Sequence, residues 1–410
     1  MPATASSRAA LPEVGVSPRA ARRLEEGFLW VYSNEIEGRD ERPAPAYWCR
    51  FVRAERTVAT GYFNRHSLIA GRAVARGDVP DLERLLEDRL LSAFARRRPL
   101  EQGRSVRIVF SEADRLPGLV IDLFPPYAVL QSNTAGMDLM LPVLTERVPA
   151  LIERVFRAPL QGLVLRCDAG IRQLEAVASF NRVAFGEPAA MSQAEIQEGG
   201  IRYAADLVGG QKTGFFLDQR DNRLHFGARV GGMDGGRILD LFCYSGGWGL
   251  RALQSGARHV TFVDQSREAL QLVEKGMSAN QMAADKAALH SGDVFDFLAG
   301  DATLYDAVVA DPPAFVKSRK NLPKAIKAYQ KLNRLAWRRL RPGGILFACS
   351  CSHHIAESDF LGLLAAAVEK EGGLAHVVYR GGQAQDHPVL LSMPETAYLK
   401  CVGLRKMADS

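Results

Sequence analysis

The stretch Asp240-Leu-Phe-Cys-Tyr-Ser-Gly-Gly-Trp-Gly249 decides the fold of this chain. Its pattern predicts a buried strand that turns through glycines into a helix. Gly246 and Gly247 allow a ligand to approach the backbone closely, and the amino terminus of the helix favours negative charge. The spacing is not the G-x-G-x-x-G of nicotinamide-binding proteins. Asp240, inside the strand end, can instead bind the amino group of a methionine, with Phe242 and Tyr244 as further candidate contacts.

Two more acids follow the next two predicted strands. Asp264 ends the strand after the glycine turn, where it can bind ribose hydroxyls. Asp293 follows the third strand, where the amino group of an adenine would lie. An Asp at the end of one strand is usually structural, but three in order at the ligand-binding edge of a sheet favour one conclusion. The sequence predicts an S-adenosylmethionine-dependent methyltransferase.

The surrounding pattern predicts a doubly wound α/β sheet, a Rossmann-like fold. The predicted strands are 237–243, 259–264, 287–290, 306–311 and 344–351. The predicted helices are 248–255, 266–281, 322–340 and 357–370. Two late strands, 376–379 and 397–404, have no helix between them and predict an antiparallel edge hairpin.

The earlier part of the chain divides into two further predicted domains. Residues 1–77 alternate apolar and polar side chains between turn signals and predict a small β domain. Residues 78–190 begin with a connector helix and continue as a central α+β domain, which includes a helix predicted over 137–156. The methyltransferase domain is predicted to occupy 191–410.

Asp311-Pro-Pro-Ala-Phe315 ends the fourth strand of the predicted methyltransferase sheet. The Pro312-Pro313 pair removes backbone freedom and fixes the adjoining carbonyl groups. An acid, two prolines and an aromatic at this position are suited to holding a planar base close to the methyl donor. A plain turn at the end of a strand is the alternative.

Cys349 and Cys351 end the fifth strand on one face, with Cys351 nearer the ligand-binding edge. Two small buried hydrophobic residues are the ordinary interpretation. The chemical interpretation is that a Cys351 thiolate adds to carbon 6 of cytosine and so activates carbon 5, with Asp311 sharing a proton with the ring nitrogen. A metal site formed with His353 and His354 is a third interpretation, but its spacing fits no usual zinc pattern and none is predicted.

The polar segment 210–223 precedes the predicted sheet and contains two adjacent aromatic residues. It predicts a lid over the cofactor, in which Phe215 and Phe216 are available for stacking. An ordinary connector is the alternative.

The charge distribution favours a polyanionic partner. The chain has 410 residues and a formal net charge of +6. Between Phe315 and Arg341 there is no acid, although a solvated surface alone favours mixed signs. Ten basic residues lie there: Lys317, Arg319, Lys320, Lys324, Lys327, Lys331, Arg334, Arg338, Arg339 and Arg341. No apolar stretch is long enough to cross a membrane, and six scattered cysteines form no disulfide framework, so a cytoplasmic location is expected.

Several motifs together resemble the bacterial 23S rRNA cytosine-C5 methyltransferases of the RlmI type, over nearly the whole chain. The motifs that carry the resemblance are Gln211-Lys-Thr-Gly-Phe-Phe-Leu-Asp-Gln-Arg220, Phe242-Cys-Tyr-Ser-Gly-Gly247, Asp311-Pro-Pro-Ala-Phe315 and Ser350-Cys-Ser352. Gly27-Phe-Leu-Trp-Val-Tyr-Ser-Asn-Glu-Ile36 and Gly61-Tyr-Phe-Asn-Arg-His-Ser67 resemble the RNA-binding PUA domain of that family, and Phe110-Ser-Glu-Ala-Asp-Arg-Leu-Pro-Gly-Leu119 resembles the start of its central domain.

The resemblance implies a Cys351 nucleophile with Asp311 as its polar partner. It also implies S-adenosylmethionine as cofactor, with Gln219 and Arg220 added to the candidate cofactor contacts. Its implied partner is 23S rRNA or a large-subunit precursor, with a homodimer also considered. The candidate RNA contacts are Pro312, Pro313, Phe315, Lys317, Arg319 and Lys320.

The sequence departs from the family pattern at His353-His354, where small or apolar residues are expected. Two other functions stay open at this point. An rRNA guanine N-methyltransferase needs no Cys351, and an RNA-binding ribosome-assembly factor needs no intact catalytic site.

Overall fold

A computed structural model describes residues 11–38, 42–101, 104–157, 159–315 and 321–407. Their backbone divides into two units. The first contains the described parts of 1–102, 106–188 and 389–396, and the second the described parts of 103–105, 189–388 and 397–410. The two domains predicted before residue 190 fall together in the first unit, and their separate bounds stay predictions.

The first sheet of the first unit corresponds to the predicted amino-terminal β domain. Its strands are β1 (Glu13–Val16), β2 (Trp30–Val31), β3 (Ile36–Glu37), β4 (Ala46–Arg53), β5 (Arg56–Asn64) and β6 (Gly71–Arg76). They are ordered β2-β6-β5-β4-β1-β3, and only the β1–β4 pair is parallel. The aromatic and β-branched residues of β4 and β5 suit a half-buried pleated surface.

One distant segment completes the core of this first sheet. Met393 is fully buried in the same hydrophobic cluster as Val16, Val31 and Phe51. Its sulfur accepts a hydrogen bond from the Leu29 backbone N–H at 3.2 Å. The short segment 389–396 is therefore a structural part of the first unit.

The second sheet of the first unit has five strands. They are β7 (Val106–Phe110), β8 (Leu119–Phe124), β9 (Tyr127–Ser132), β10 (Gly162–Cys167) and β11 (Phe180–Phe185), in the order β11-β10-β9-β8-β7. Only β9 and β10 run parallel, because the helical segment between them carries the chain back across the sheet.

The helices of the first unit differ from prediction at one proline. They are α1 (Pro18–Glu25), α2 (Leu82–Glu101), α3 (Ala135–Asp138), α4 (Leu141–Phe156) and α5 (Ile171–Leu174). The single helix predicted over 137–156 is wrong, since α3 and α4 are separate. Pro142 lies in the first turn of α4, where its missing N–H costs nothing, whereas continuing from α3 would place its ring against the preceding turn.

The second unit opens with elements that the sequence did not predict. A short helix, α6 (Pro188–Met191), leads into a two-stranded hairpin of β12 (Ala194–Glu198) and β13 (Ile201–Ala205). Helix α7 (Arg220–Val230) then begins inside the segment that was predicted to be a lid.

The predicted doubly wound sheet is confirmed. Its strands are β14 (Arg237–Leu241), β15 (His259–Asp264), β16 (Ala287–Ser291), β17 (Tyr305–Ala310), β18 (Leu340–Ser350), β19 (Ala375–Gly381) and β20 (Lys400–Lys406). The order is β16-β15-β14-β17-β18-β20-β19, and β20 is antiparallel to both of its neighbours. The remaining helices are α8 (Gly247–Gln254), α9 (Arg267–Ala279), α10 (Val294–Gly300), α11 (Leu322–Arg338) and α12 (Glu357–Glu369).

The topology of this sheet places the predicted site. In the described part of the chain, no helix is long and apolar enough to cross a membrane. The central strands β14, β17 and β18 are buried, as expected for parallel strands covered on both faces. Chain order reverses between β14 and β17, and a ligand binds at the carboxyl ends of strands beside such a point.

Candidate active site

The glycine turn after β14 is held by backbone hydrogen bonds to two carboxylates. The Gly249 N–H donates to Asp240 Oδ2 at 2.8 Å, and the Tyr244 N–H donates to Asp264 Oδ2 at 2.9 Å. Phe242, Tyr244 and Gly246 have positive φ angles of 59°, 47° and 77°. Two non-glycine residues in the left-handed region cost energy, which the surrounding contacts must offset.

Asp240 has an unsatisfied carboxylate oxygen. The residue is fully buried, and Oδ1 has no hydrogen-bond partner among the described residues. Burial raises the pKa of the Asp240 carboxyl to about 8, and the nearby charges of Asp311 and Asp264 add to the increase. A buried acceptor without a partner is costly, so this oxygen fits an incoming cation such as the ammonium group of a methionine.

Asp264 and Asp293 take structural roles in the protein itself. Asp264 Oδ1 accepts from the Ser266 N–H at 2.9 Å, so its two oxygens fix the turns on both sides of the strand end. Asp293 is exposed and caps α10 by accepting from the Phe295 and Asp296 N–H groups. Their predicted contacts with ribose and adenine stay predictions.

The predicted lid segment contains side chains that are committed to protein partners. Phe215 is 2% exposed, with its ring 5.0 Å from that of Tyr203 and 4.7 Å from the Arg223 guanidinium. Arg220 pairs with Asp386 at 2.9 Å and donates to the Ser105 carbonyl. These contacts favour a packed wall, and contact of Phe215 and Arg220 with the cofactor stays a prediction.

Phe216 and Tyr244 connect that wall to the glycine turn. Their rings meet edge to face at 5.4 Å, and the Lys212 ammonium lies 4.2 Å above the Phe216 ring. The Tyr244 hydroxyl accepts from the Gln211 N–H at 3.1 Å. This packed wall therefore contacts the glycine turn, where the cofactor is expected to bind.

Asp311, the residue after β17, receives three hydrogen bonds from two side chains. Gln219 Nε2 donates to both carboxylate oxygens at 3.0 Å, and Trp248 Nε1 donates to Oδ2 at 3.0 Å. Burial raises the pKa of the Asp311 carboxyl above its usual range, while the Trp248 donor lowers it. Gln219 was predicted to contact the cofactor, but its side chain faces this carboxylate.

A second layer of side chains fixes the orientation of the Gln219 amide. Asn222 Nδ2 donates to Gln219 Oε1 at 2.6 Å, and the Tyr379 hydroxyl donates to Asn222 Oδ1 at 2.8 Å. Because the Gln219 oxygen already accepts from Asn222, its NH₂ group is the part that faces Asp311. The carboxylate is thereby held by donors only.

Cys351 lies one residue beyond β18. It is half-buried, whereas Cys49, Cys167, Cys243, Cys349 and Cys401 are buried. Burial raises the pKa of the Cys351 thiol, the Lys212 cation lowers it, and the Asp311 and Asp218 charges raise it further. Cys349 is buried and faces Cys401 in the β18–β20 ladder, which fits the ordinary structural interpretation for Cys349.

The chain on both sides of Cys351 is anchored. The Tyr329 hydroxyl shares a hydrogen bond with Ser352 Oγ at 3.0 Å and accepts from Ser350 Oγ at 3.2 Å. The Phe315 ring lies 4.8 Å from the Tyr329 ring, which links Cys351 to the Asp-Pro-Pro motif. In that motif Pro312 is buried and Pro313 is exposed.

Strand register brings Asp311 and Cys351 to the same edge. Ala310 of β17 pairs with Ala348 of β18, so both residues follow directly at the carboxyl ends of neighbouring strands. Among the described side chains, no group of three His, Cys, Asp or Glu is placed to hold a metal ion.

Trp248, Asn222 and Tyr379 were missed by the sequence reasoning. Trp248 could have been selected from the sequence, since a large indole among the glycines of a tight turn needs a partner group. Asn222 and Tyr379 carried no such signal, because Tyr379 lies 157 residues after Asn222 and the two side chains meet only through the fold.

The basic stretch is described only in part. Lys317, Arg319 and Lys320 lie outside the described residues. On α11, Lys324, Lys327 and Lys331 are exposed at positions that share one helix face. Further along, Arg334 and Arg338 pair with Glu371, and Arg341 pairs with Asp306 at 3.0 Å.

Two regions of the chain match models of known protein families. The model of an S-adenosylmethionine-dependent methyltransferase family matches residues 176–402, and a PUA-like domain model matches residues 14–76. The chain is 34% identical to the ribosomal RNA large subunit methyltransferase I of Aeromonas hydrophila, over 73% of this chain and 74% of that protein. It is 36% identical to the protein of that name from Photobacterium profundum, over 72% of each.

Solved structures agree on the fold. A structure from Streptococcus mutans, described as a SAM-dependent methyltransferase, matches with a TM-score of 0.79 and 21% identity, covering 96% of this chain and 100% of that chain. The methyltransferase SMU.776 in complex with S-adenosylhomocysteine matches with a TM-score of 0.80 and 20% identity, with the same coverage. The fold class and the cofactor predicted from the sequence are confirmed. The chain therefore belongs to the family of S-adenosylmethionine-dependent methyltransferases that includes the ribosomal RNA large subunit methyltransferase I proteins.

Proposed function

We propose that this protein methylates carbon 5 of a cytosine in 23S rRNA or a large-subunit precursor, with Cys351 as the nucleophile. One observation carries the proposal. Cys351 is the cysteine that is not buried, and it lies at the same sheet edge as Asp311. A half-buried thiol beside a donor-held carboxylate has no evident structural purpose, but carbon 5 chemistry on cytosine requires both groups.

The Cys351 thiolate adds to carbon 6 of the cytosine ring, and the displaced electron pair makes carbon 5 nucleophilic. Carbon 5 would receive its methyl group from bound S-adenosylmethionine, whose S–CH₃ bond would break to leave S-adenosylhomocysteine. A base then removes the proton from carbon 5, and the C6–S bond breaks to return the thiolate and the aromatic ring.

Asp311 holds the proton that is shared with the ring nitrogen during addition. Burial raises the pKa of this carboxyl, which favours the protonated form, while Gln219 and Trp248 fix its position. The same burial raises the pKa of the Cys351 thiol, so formation of the thiolate depends on the Lys212 cation. Lys212 is in turn held by Asp218 at 3.0 Å.

Three observations support RNA as the substrate. The relatives with about one third of residues identical are named as ribosomal RNA large subunit methyltransferases. The amino-terminal sheet matches a PUA-like domain, and α11 carries exposed lysines. A cytoplasmic location follows for an enzyme that acts on this RNA.

The test is methylation of large-subunit rRNA by a Cys351→Ala variant. Methyl transfer should fall on the order of 1000-fold or more, because the covalent route is lost. Cys349→Ala, two residues earlier and buried, is the matched control and should retain activity. RNA that contains 5-fluorocytosine should form a covalent complex with the wild type, since fluorine replaces the proton that must leave.

Two outcomes would contradict the proposal. Near wild-type methylation by Cys351→Ala, with the label in guanine, would assign an rRNA guanine N-methyltransferase. No detectable binding of S-adenosylmethionine by the pure protein would instead favour an assembly factor without catalysis.

A further inference from the structure

A stacked aromatic pair, made of an exposed ring and a half-buried ring, lies beside Cys351. His353, two residues after Cys351, is exposed, and its ring is stacked on that of Tyr398. The ring centroids are 5.5 Å apart and the planes differ by 29°. The rings come from different elements, since His353 follows β18 and Tyr398 precedes β20. The mechanism proposed above uses neither ring.

A hydrogen bond to Asp218 fixes the position of the Tyr398 ring. Its hydroxyl donates to Asp218 Oδ2 at 2.5 Å, and the same oxygen accepts from the Lys212 ammonium at 3.0 Å. Asp218 is only 3% exposed. A buried charged acceptor makes a stronger hydrogen bond than a neutral one, so the position of the Tyr398 ring is well defined.

Lys400 ties together the two segments that carry the rings. Its ammonium donates to the Ser352 carbonyl at 2.7 Å and to the Tyr398 carbonyl at 2.8 Å. Each of these carbonyls belongs to, or directly precedes, a residue of the stacked pair. The pair is therefore assembled before any ligand arrives, which lowers the entropy lost on binding.

The pair is also close to the reacting thiol. Asp218, which accepts the Tyr398 hydrogen bond, and Lys212, which pairs with Asp218, both act on the pKa of the Cys351 thiol. A base that reaches Cys351 therefore arrives next to the His353–Tyr398 pair.

Extrusion of a cytosine leaves its neighbour without a stacking partner. A cytosine in folded RNA must leave its stack to reach an enzyme site, which costs unstacking energy. Histidine and tyrosine rings stack on exposed bases in many RNA complexes. A base that stacks on such a ring gains about 5- to 150-fold in affinity. A preassembled ring beside the nucleophile is positioned to stack on the base that loses its neighbour.

We propose that the solvent-facing side of His353, backed by Tyr398, is a stacking site for the nucleobase next to the target cytosine. The proposal rests on the proposed function in that the substrate is RNA and its target base reaches Cys351. Purines should bind best, because they present the larger ring face. The site would position the RNA strand and take no part in bond making.

The direct test uses stacking itself as the signal. The probe is a single-stranded RNA of twelve nucleotides with one cytosine followed by 2-aminopurine, whose fluorescence is quenched when it stacks. The full-length protein with S-adenosylhomocysteine should quench it, His353→Ala should not, and His353→Phe should restore quenching. His354→Ala, which changes the adjacent exposed histidine, is the matched control and should behave as wild type.

Steady-state kinetics on unmethylated large-subunit rRNA provide a second readout. His353→Ala should raise KM about 5- to 150-fold, with a smaller change in kcat. Equal quenching by the wild type and His353→Ala would overturn the proposal. Rescue by His353→Lys but not by His353→Phe would also overturn it, because a phosphate contact would then explain the site.

The stacking site and the cytosine carbon 5 chemistry can be refuted independently of each other. The quenching measurement needs no methyl transfer, so it reports on stacking whether or not cytosine is the base that is modified. Mass spectrometry of the methylated nucleoside reports on the proposed function alone. A methylated guanine would refute carbon 5 chemistry and leave the quenching comparison intact.

Discussion

At the residue scale, Asp240 carries the clearest physical signature of cofactor binding. Its Oδ1 has no hydrogen-bond partner in the described structure, and burial raises the pKa of the carboxyl to about 8. A pKa of about 8 makes the protonated form of Asp240 predominate near pH 7 in the free protein. A bound methionine ammonium favours the carboxylate, so the proton must leave when the cofactor binds.

Binding of S-adenosylmethionine near pH 7 should release about one proton more from the wild type than from Asp240→Asn. Calorimetry in buffers of different ionisation enthalpy measures this number. The difference should vanish well above pH 8, where Asp240 is already ionised. Equal release by the two proteins would show that Asp240 does not receive the ammonium group.

The raised pKa of Asp240 also determines whether the free energy of unfolding rises or falls with pH. The pKa of Asp240 is higher in the folded protein than the usual value of about 3.9 in the unfolded chain. Its contribution to stability is complete below the unfolded value and is lost as the pH rises through about 8. Without cofactor, the free energy of unfolding should therefore fall less with pH in Asp240→Asn than in the wild type.

At the scale of elements, the glycine turn and α8 are closely packed against β15. A Cβ atom at Gly249 would lie 2.1 Å from the Phe262 ring, which is closer than any real contact. The ring is buried in the sheet and has little room to move. The third glycine of the motif thus serves helix–strand packing, whereas Gly246 serves the left-handed turn.

Gly249→Ala should lower the free energy of unfolding by about 1–3 kcal/mol, because the added methyl group overpacks the core. Urea denaturation measures the change. Gly362→Ala is the matched control, since Gly362 lies in α12 and a Cβ there meets nothing within 4 Å. That change should instead stabilise by roughly 0.5–1 kcal/mol, and equal effects at both positions would contradict the packing argument.

What the sequence could predict at this scale depends on how local each signal is. The strands and Asp240, Asp264 and Asp311 at their ends follow from short patterns, and the structure places them as expected. Phe215 and Arg220 could not be assigned, because their partners Tyr203 and Asp386 are defined only by the folded chain. A motif shows that a segment matters, but it does not show which side chains face inward.

At the scale of the whole molecule, net charge overstates the number of cations available to RNA. Arg338 on α11 forms an ion pair with Glu371, whereas Lys327 on the same helix is exposed and has no acidic partner in the described structure. Only a cation that replaces counterions on phosphate adds to the salt dependence of RNA binding. The exposed lysines of α11 should therefore dominate over its paired arginines.

Lys327→Gln should reduce the slope of log affinity against log salt by about 0.7–0.9, the value for one phosphate contact. Arg338→Gln is the matched control and should change that slope little. Filter binding of large-subunit rRNA at several salt concentrations gives both slopes. A larger effect of Arg338→Gln would show that ion pairing does not decide which cations reach the RNA.

The segment that carries Met393 has a consequence for how the protein is made. The Leu29 N–H donates to the Met393 sulfur, and Met393 lies 364 residues later in the chain. At about 5–20 residues per second, a ribosome needs roughly 20–70 s to reach that partner. The amino-terminal core thus keeps a gap where the Met393 side chain belongs until that residue has been synthesised.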